Sequence, residues 1–303
     1  MAELRFDGRT VVITGAGRGV GRAHALLFAQ RGAQVVVADY GVALDGSGGS
    51  SGPADDVVAE IKEAGGEAIS AYADVSDEAG AASIIEAAMD TYGRVDAVVN
   101  NAGIAEPLDW VENLTHDDYR KMVDVHYFGT VWVTKAAWPH LIAAPAGRLV
   151  NTTSEGALGT VPKNSSYSGA KGAVLGFTRA AAIDGERHGI RVNALLPRAG
   201  TRMATPDVLS HVYEAPKELF QDMSQFAPHR VSPAAVYLAH ETCRLNGELL
   251  VSGGGNVLRL ALVESRGIYD EEITPEMVAE GIDEVMDLDG YTVMNAGTLL
   301  SDR

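Results

Sequence analysis

The sequence predicts an α/β fold: a doubly wound, seven-stranded parallel sheet in a single domain with a C-terminal helical extension. Three observations predict it. Short β-branched runs alternate with longer helical segments; the runs are apolar without strict alternation, as strands buried on both faces require; and the first run enters a glycine-rich turn that opens directly into a helix.

Taken in order, the strand segments are TVVIT from Thr10, QVVVAD from Gln34, EAISAYAD from Glu67, DAVVNN from Asp96, RLVNTTS from Arg148, RVNALLP from Arg191 and GELLVSGG from Gly247. The segments between them are long enough for crossover helices. Between Tyr40 and Asp55 lies GVALDGSGGSSGPAD, too long for an ordinary strand-to-helix loop and expected to be a mobile surface loop ending in a helix start. After the last strand, ITPEMVAEGIDEVMDL opens on Thr274-Pro275-Glu276 and predicts one more helix. Residues 1–263 are therefore expected to form the sheet domain and residues 264–303 an extension packed on it.

A chain of 303 residues can bury one large core, and 46% hydrophobic with 21% charged residues is ordinary for a globular protein. The formal net charge of −17, with no basic run, argues against nucleic acid or an anionic membrane surface as partner. Cys243 is the only cysteine, which excludes an intrachain disulfide and a thiolate metal cluster and suits a reducing compartment. Glu3, Arg5 and Asp7 fall where a signal peptide would be apolar, and Ser301-Asp302-Arg303 is not a peroxisomal address of the SKL type. A cytoplasmic location is expected, with no metal in the site.

The first strand runs into Thr14-Gly15-Ala16-Gly17-Arg18-Gly19-Val20-Gly21. Glycines let the backbone turn tightly and approach a pyrophosphate, while the N–H groups and dipole of the following helix face the anion. Such a turn alone is equally compatible with any tight strand-to-helix connection. Asp39, at the end of the second strand, adds a carboxylate near the spacing at which one reaches the adenosine ribose; its plainer reading is a loop-entry or capping residue.

Tyr167-Ser168-Gly169-Ala170-Lys171 opens a helical segment, and the i to i+4 spacing puts Tyr167 and Lys171 on one face. A nearby ammonium favours the phenolate, which would make Tyr167 a proton acceptor for an alcohol. A half-exposed Tyr/Lys pair at this spacing can equally be a surface feature. Ser154 ends the strand RLVNTTS thirteen residues earlier; taken alone it is a loop hydroxyl or a cap.

Together these pieces resemble the short-chain dehydrogenase/reductase family, whose Rossmann-type fold carries a T-G-x-x-x-G-x-G turn, an NNAG motif, and a serine thirteen residues before Y-x-x-x-K. The resemblance implies an oxidoreductase that transfers hydride between NAD and a secondary alcohol or ketone. It implies that Tyr167 exchanges the proton with substrate oxygen, that Lys171 tunes Tyr167 and holds the nicotinamide ribose, and that Ser154 bonds the reacting oxygen. Cofactor contacts are implied for Gly15, Arg18, Gly19, Val20, Gly21, Asp39, Asp74, Val75, Asn101, Ala102, Gly103, Tyr167, Lys171, Pro197 and Thr201. The family's helical asparagine is replaced here by His126 in Asp124-Val125-His126-Tyr127-Phe128-Gly129. The segment MATPDVLSHVYEAPKELFQDM is expected to form the substrate lid.

Over both ends the chain is similar to a narrower group, the (3R)-hydroxyacyl-CoA dehydrogenase units of D-specific multifunctional β-oxidation enzymes. LRFDGR, VHYFGTVWVTKAAWPH, the P-x-AG-[ST]-RM stretch at Pro197, CRLNGELLVSGGG and ITPEMV carry that similarity. Glu106, Asp109 and Glu112 depart from it, because acidic residues at a pocket mouth would disfavour polyanionic CoA. A neutral secondary alcohol, such as a steroid or terpene alcohol, is the alternative substrate, and a non-catalytic NAD(H) sensor the alternative of another class. The resemblance also implies a homodimer or homotetramer.

Overall fold

Strand β1 (Thr10–Thr14) is buried at every position, and the reason is visible in what covers its two faces. In the computed structural model, which describes residues 3–105 and 108–297, Val11 and Ile13 pack with helices α1 (Gly19–Gln30), α2 (Gly52–Glu63) and α8 (Ser232–Ala239). Val12 points the other way, into a core with α3 (Glu78–Tyr92), α5 (Gly129–Ala143) and α6 (Ser165–Glu186). Successive strand side chains alternate between faces, so two apolar layers demand an unbroken apolar run. Glu106 and Ser301-Asp302-Arg303 lie outside the described residues.

The sheet order is β3-β2-β1-β4-β5-β6-β7-β8, with β2 at Gln34–Ala38, β3 at Glu67–Ala71, β4 at Ala97–Asn100, β5 at Arg148–Thr152, β6 at Arg191–Pro197 and β7 at Leu249–Gly253. These seven are parallel, as expected. An eighth, β8 (Asn256–Leu260), is antiparallel to β7, pairing Gly253 with Asn256 across Gly254-Gly255. Both turn glycines have positive φ, at 60° and 83°, which suits a two-residue hairpin. Gly-Gly followed by the alternating NVLRL was the signal for it, so the sheet is eight-stranded and mixed rather than seven-stranded and parallel.

Two other local expectations need correction or detail. The tail helix is two helices, α9 (Pro275–Glu280) and α10 (Ile282–Met286), because the chain breaks at Gly281, which packs against the side chain of Ile268. Thr274 caps α9 as expected, accepting from the Met277 N–H at 3.2 Å. The tail also makes a small antiparallel pair, β9 (Val263–Glu264) with β10 (Thr292–Val293), and Arg179 of α6 donates to the Met294 carbonyl. The Gly/Ser loop follows a defined path: Ser50 N–H returns to Tyr40 O at 3.1 Å, and Ala105 N–H reaches Leu44 O at 2.9 Å.

The strand order reverses between β1 and β4. In an open parallel sheet the loops leaving the carboxyl ends on either side of that point separate and leave a crevice. The candidate residues gather at that end: the glycine turn after β1 and the start of α1, Asp39 after β2, Asp74 and Val75 after β3, and Asn101, Ala102 and Gly103 after β4. Ser154 follows β5, Pro197 closes β6 with Thr201 beyond it, and Tyr167 and Lys171 lie in the first two turns of α6.

Candidate active site

On one side of the crevice, Thr14 ties the glycine turn to the end of β4. Its hydroxyl accepts from the N–H groups of Asn101 (3.0 Å) and Ala102 (3.1 Å), and Asn101 Nδ2 donates back to Thr14 O at 2.9 Å. Gly15, at φ 63°, permits this contact: a β-carbon there would lie 2.7 Å from Ala102 Cα. Arg18 is the N-cap of α1 but makes no side-chain cap bond, so the first turn of this twelve-residue helix presents its N–H groups without a protein cap.

Asp39 is held by two backbone donors, Gly17 N–H at 2.7 Å and Gly41 N–H at 2.6 Å. Gly17 makes a cradle, since a β-carbon there would stand 2.8 Å from Asp39 Oδ2. Arg18 Nη1 donates to Val42 O at 3.0 Å. Arg202, which sequence reasoning missed, joins this corner: burial and Arg18 push its guanidinium below the usual range while Asp39 pulls it up. Thr201 lies above Gly19, 3.6 Å from where its β-carbon would be. Val75 packs on Gly129 of α5, and Asp74 accepts from the N–H and hydroxyl of Ser76. These features fit a dinucleotide: a glycine cradle, an uncapped helix start and a carboxylate at the end of β2.

On the other side, Ser154 follows β5 and its hydroxyl accepts from Gly156 N–H at 3.1 Å, and Gly156 brings that hydroxyl beside the Tyr167 ring, since a β-carbon there would lie 3.3 Å from Ser154 Oγ and 3.6 Å from Tyr167 Cε1. Tyr167 sits on the first turn of α6, and Lys171 Nζ lies 5.8 Å from the centre of its ring while donating to Thr152 O at 2.7 Å. The structure therefore brings Ser154, Tyr167 and Lys171 together. Their titration differs from the expectation. Burial raises the Tyr167 phenol, with only the Ser154 hydrogen bond opposing it, and burial alone pushes Lys171 from 10.5 down to about 7. Low dielectric penalises both charged forms, which spacing along a helix does not reveal.

His126 occupies a π-helical turn, Val123–Phe128, between α4 (His116–Met122) and α5. Its ring meets Tyr167 edge to face, centroids 5.1 Å apart, and Nε2 lies 3.0 Å from Ile104 O. With the proton on Nε2, the buried Nδ1 is an acceptor that finds no partner among the described residues. Burial and the nearby Lys171 hold the imidazole well below 6.5, hence neutral. Gly103 is required beside it, because a β-carbon would fall 2.5 Å from His126 Cε1.

Two ion pairs at the crevice rim were not legible in the sequence. Glu155 and Arg198, on the loops leaving β5 and β6, pair side-on at 2.8 and 2.6 Å. Lys163 and Glu214 are the two non-glycine residues with positive φ among the described residues, and they pair with each other at 2.6 Å. That bond ties α7 (Pro206–Tyr213), in the segment expected to be the lid, to the loop before α6. Lys163 also lies over the Trp110 ring at 5.2 Å. Hydrogen bonds from Asn113 Nδ2 and the Trp110 N–H, with a smaller contribution from the Lys163 charge, hold the Asp109 carboxyl below its usual range.

A family model described as short chain dehydrogenase matches residues 9–207. The chain is 39% identical over 290 residues to the peroxisomal multifunctional enzyme type 2 of Mus musculus, covering 94% of this chain but only 38% of that enzyme's length. The crystal structure of a short chain dehydrogenase from Mycobacterium avium superposes with a TM-score of 0.78 at 32% identity, covering 97% of this chain and 99% of that one. A carveol dehydrogenase from the same organism, in complex with NAD, gives 0.74 at 26% identity over 82% of this chain and 97% of that one.

Proposed function

The chain belongs to the short-chain dehydrogenase family, and from that premise we propose that it oxidises a (3R)-hydroxyacyl thioester to the 3-oxoacyl thioester, or the reverse, with NAD as cofactor. The observation that carries the catalytic part is the convergence of Ser154, Tyr167 and Lys171 at the crevice. When bound, the nicotinamide supplies or accepts the hydride. Tyr167 moves the proton to or from substrate oxygen, and Ser154 donates to that oxygen as alkoxide character develops. Lys171, anchored on Thr152 O, would hold the ribose and feel the charge on Tyr167 in this reading. Asn101, Ala102, Gly103, Asp74, Val75, Pro197 and Thr201 line the cofactor path in this reading, and the tail from residue 264 belongs to the same domain.

NAD is favoured because Asp39 would hold the ribose hydroxyls and repel a 2′-phosphate. Arg18 and Arg202 beside it supply the one observation for NADP. The hydroxyacyl part is supported by the multifunctional relative. The neutral-alcohol reading is supported by Asp109 and Trp110 at the mouth, where Lys163 is already committed to Glu214. We place the protein in the cytoplasm as an oligomer built on α5 and α6, whose Ile142 and Ile183 are exposed. No helix among the described residues is long and apolar enough to cross a membrane.

The test follows NADH absorbance with (3R)- and (3S)-hydroxyacyl-CoA of several chain lengths. Oxidation of the (3R) series alone is expected. Turnover of a cyclic alcohol without any acyl-CoA activity would move the substrate to the neutral class.

A further inference from the structure

We propose that Arg198, fixed by Glu155, is a specificity-determining residue that receives a second oxygen of the substrate, a carbonyl or carboxylate a few bonds from the reacting carbon. This rests on the dehydrogenase reading of the site.

The placement comes first. Glu155 directly follows Ser154 at the carboxyl end of β5, so the two α-carbons are about 3.8 Å apart. Gly156, the next residue, faces Tyr167: a β-carbon there would lie 3.6 Å from Tyr167 Cε1 and 3.3 Å from Ser154 Oγ. Arg198 directly follows Pro197 at the carboxyl end of β6, the neighbouring strand. The bridge between them thus spans two adjacent strand ends beside the group that would touch the reacting oxygen.

The backbone under Arg198 is pinned. Its N–H donates to Ser252 O at 2.8 Å, and Gly253 lets β7 press against it, since a β-carbon at Gly253 would lie 2.0 Å from Arg198 O. Glu155 is fixed as well, its carbonyl accepting from Thr160 Oγ1 at 2.9 Å. The two carboxylate bonds use Nε and Nη2 of the guanidinium. A side-on pair of this kind engages only two of the five N–H donors and holds the planar group in one orientation. The two side chains remain 42% and 34% exposed, so the pair is open to solvent and not sealed in the core.

A preset donor fork next to Ser154 discriminates by what it leaves unmet: a substrate with the second oxygen satisfies it, and one without does not. In a 3-oxoacyl thioester that oxygen is the thioester carbonyl, and in a cyclic oxo acid it is the carboxylate. Glu155 keeps the local charge balanced, so the fork selects an acceptor oxygen without a net attraction for every anion.

The experiment compares native protein, Arg198→Met and Arg198→Lys with an acetoacetyl thioester of N-acetylcysteamine and with 4-oxocyclohexanecarboxylate, alongside NADH affinity by fluorescence. Arg198→Met should raise KM at least tenfold for the oxygen-bearing substrate that the native protein uses. Arg198→Lys should fall between, and NADH affinity should stay within twofold for both. Unchanged KM in Arg198→Met, or a loss of NADH affinity matching the loss in kcat/KM, would overturn the assignment. If the native protein takes only the oxo acid and Arg198→Met still loses it, the hydroxyacyl reading falls while Arg198 keeps its role. If it takes neither, both fall.

Discussion

Replacing Lys171 with Met should make the cofactor-free protein more stable at neutral pH while destroying its turnover. Burial moves the ammonium from 10.5 down to about 7 in the folded chain. A base with a lowered folded pKa leaves the unfolded chain holding the extra proton, so stability rises with pH from about 7 to 10.5, and the penalty is complete below that window. The cost is about 4 kcal/mol at pH 7 and about 2 kcal/mol at pH 9. Methionine escapes it but forfeits the 2.7 Å bond from Nζ to Thr152 O. Leaving that carbonyl unmet costs about 1–3 kcal/mol at either pH. The variant should therefore gain about 1–3 kcal/mol at pH 7, and the difference should shrink by about 2 kcal/mol at pH 9. Urea unfolding at both pH values, at one fixed protein concentration, measures it. A variant less stable than native at pH 7, or a difference that does not change with pH, would refute the reasoning.

Other substitutions probe the rest of the site. Tyr167→Phe should abolish turnover and leave NADH affinity within twofold, and because burial raises the native phenol, alcohol oxidation should still be climbing at about pH 9; a plateau near neutrality would remove Tyr167 from the proton step. Asp39→Ala should shift the NAD to NADP ratio of kcat/KM at least tenfold toward NADP, and an unchanged ratio would hand selection to Arg18 and Arg202. Gly103→Ala should lower stability by about 1–3 kcal/mol through its clash with His126, with part restored in the double variant with His126→Ala; no loss in thermal unfolding would contradict the contact. Glu214→Gln should speed amide exchange across Pro206–Tyr213 without changing NADH affinity, and unaltered exchange would show that the Lys163 bond does not hold the segment.

The parts legible from the sequence are those written in local order. The β-branched run at Thr10–Thr14 specifies a strand buried on both faces, and its glycine turn and helix follow within a few residues, so Gly15 is set at the end of β1, and Asp39 at the end of β2, by local order alone. The Tyr167 and Lys171 spacing on one helix is equally local. What only the tertiary structure decided depends on distance in space or on solvent. Glu155 meets Arg198, and Lys163 meets Glu214, across separations of 43 and 51 residues, and neither pair has a spacing rule that announces it. Arg202 reaches the Asp39 corner from a loop beyond β6. The β7–β8 hairpin had a Gly254-Gly255 signal, but pairing it to the sheet edge needed the edge itself. The protonation of the site is the deepest case: the sequence places an ammonium near a phenol, whereas burial, which no spacing encodes, drives both groups toward their neutral forms.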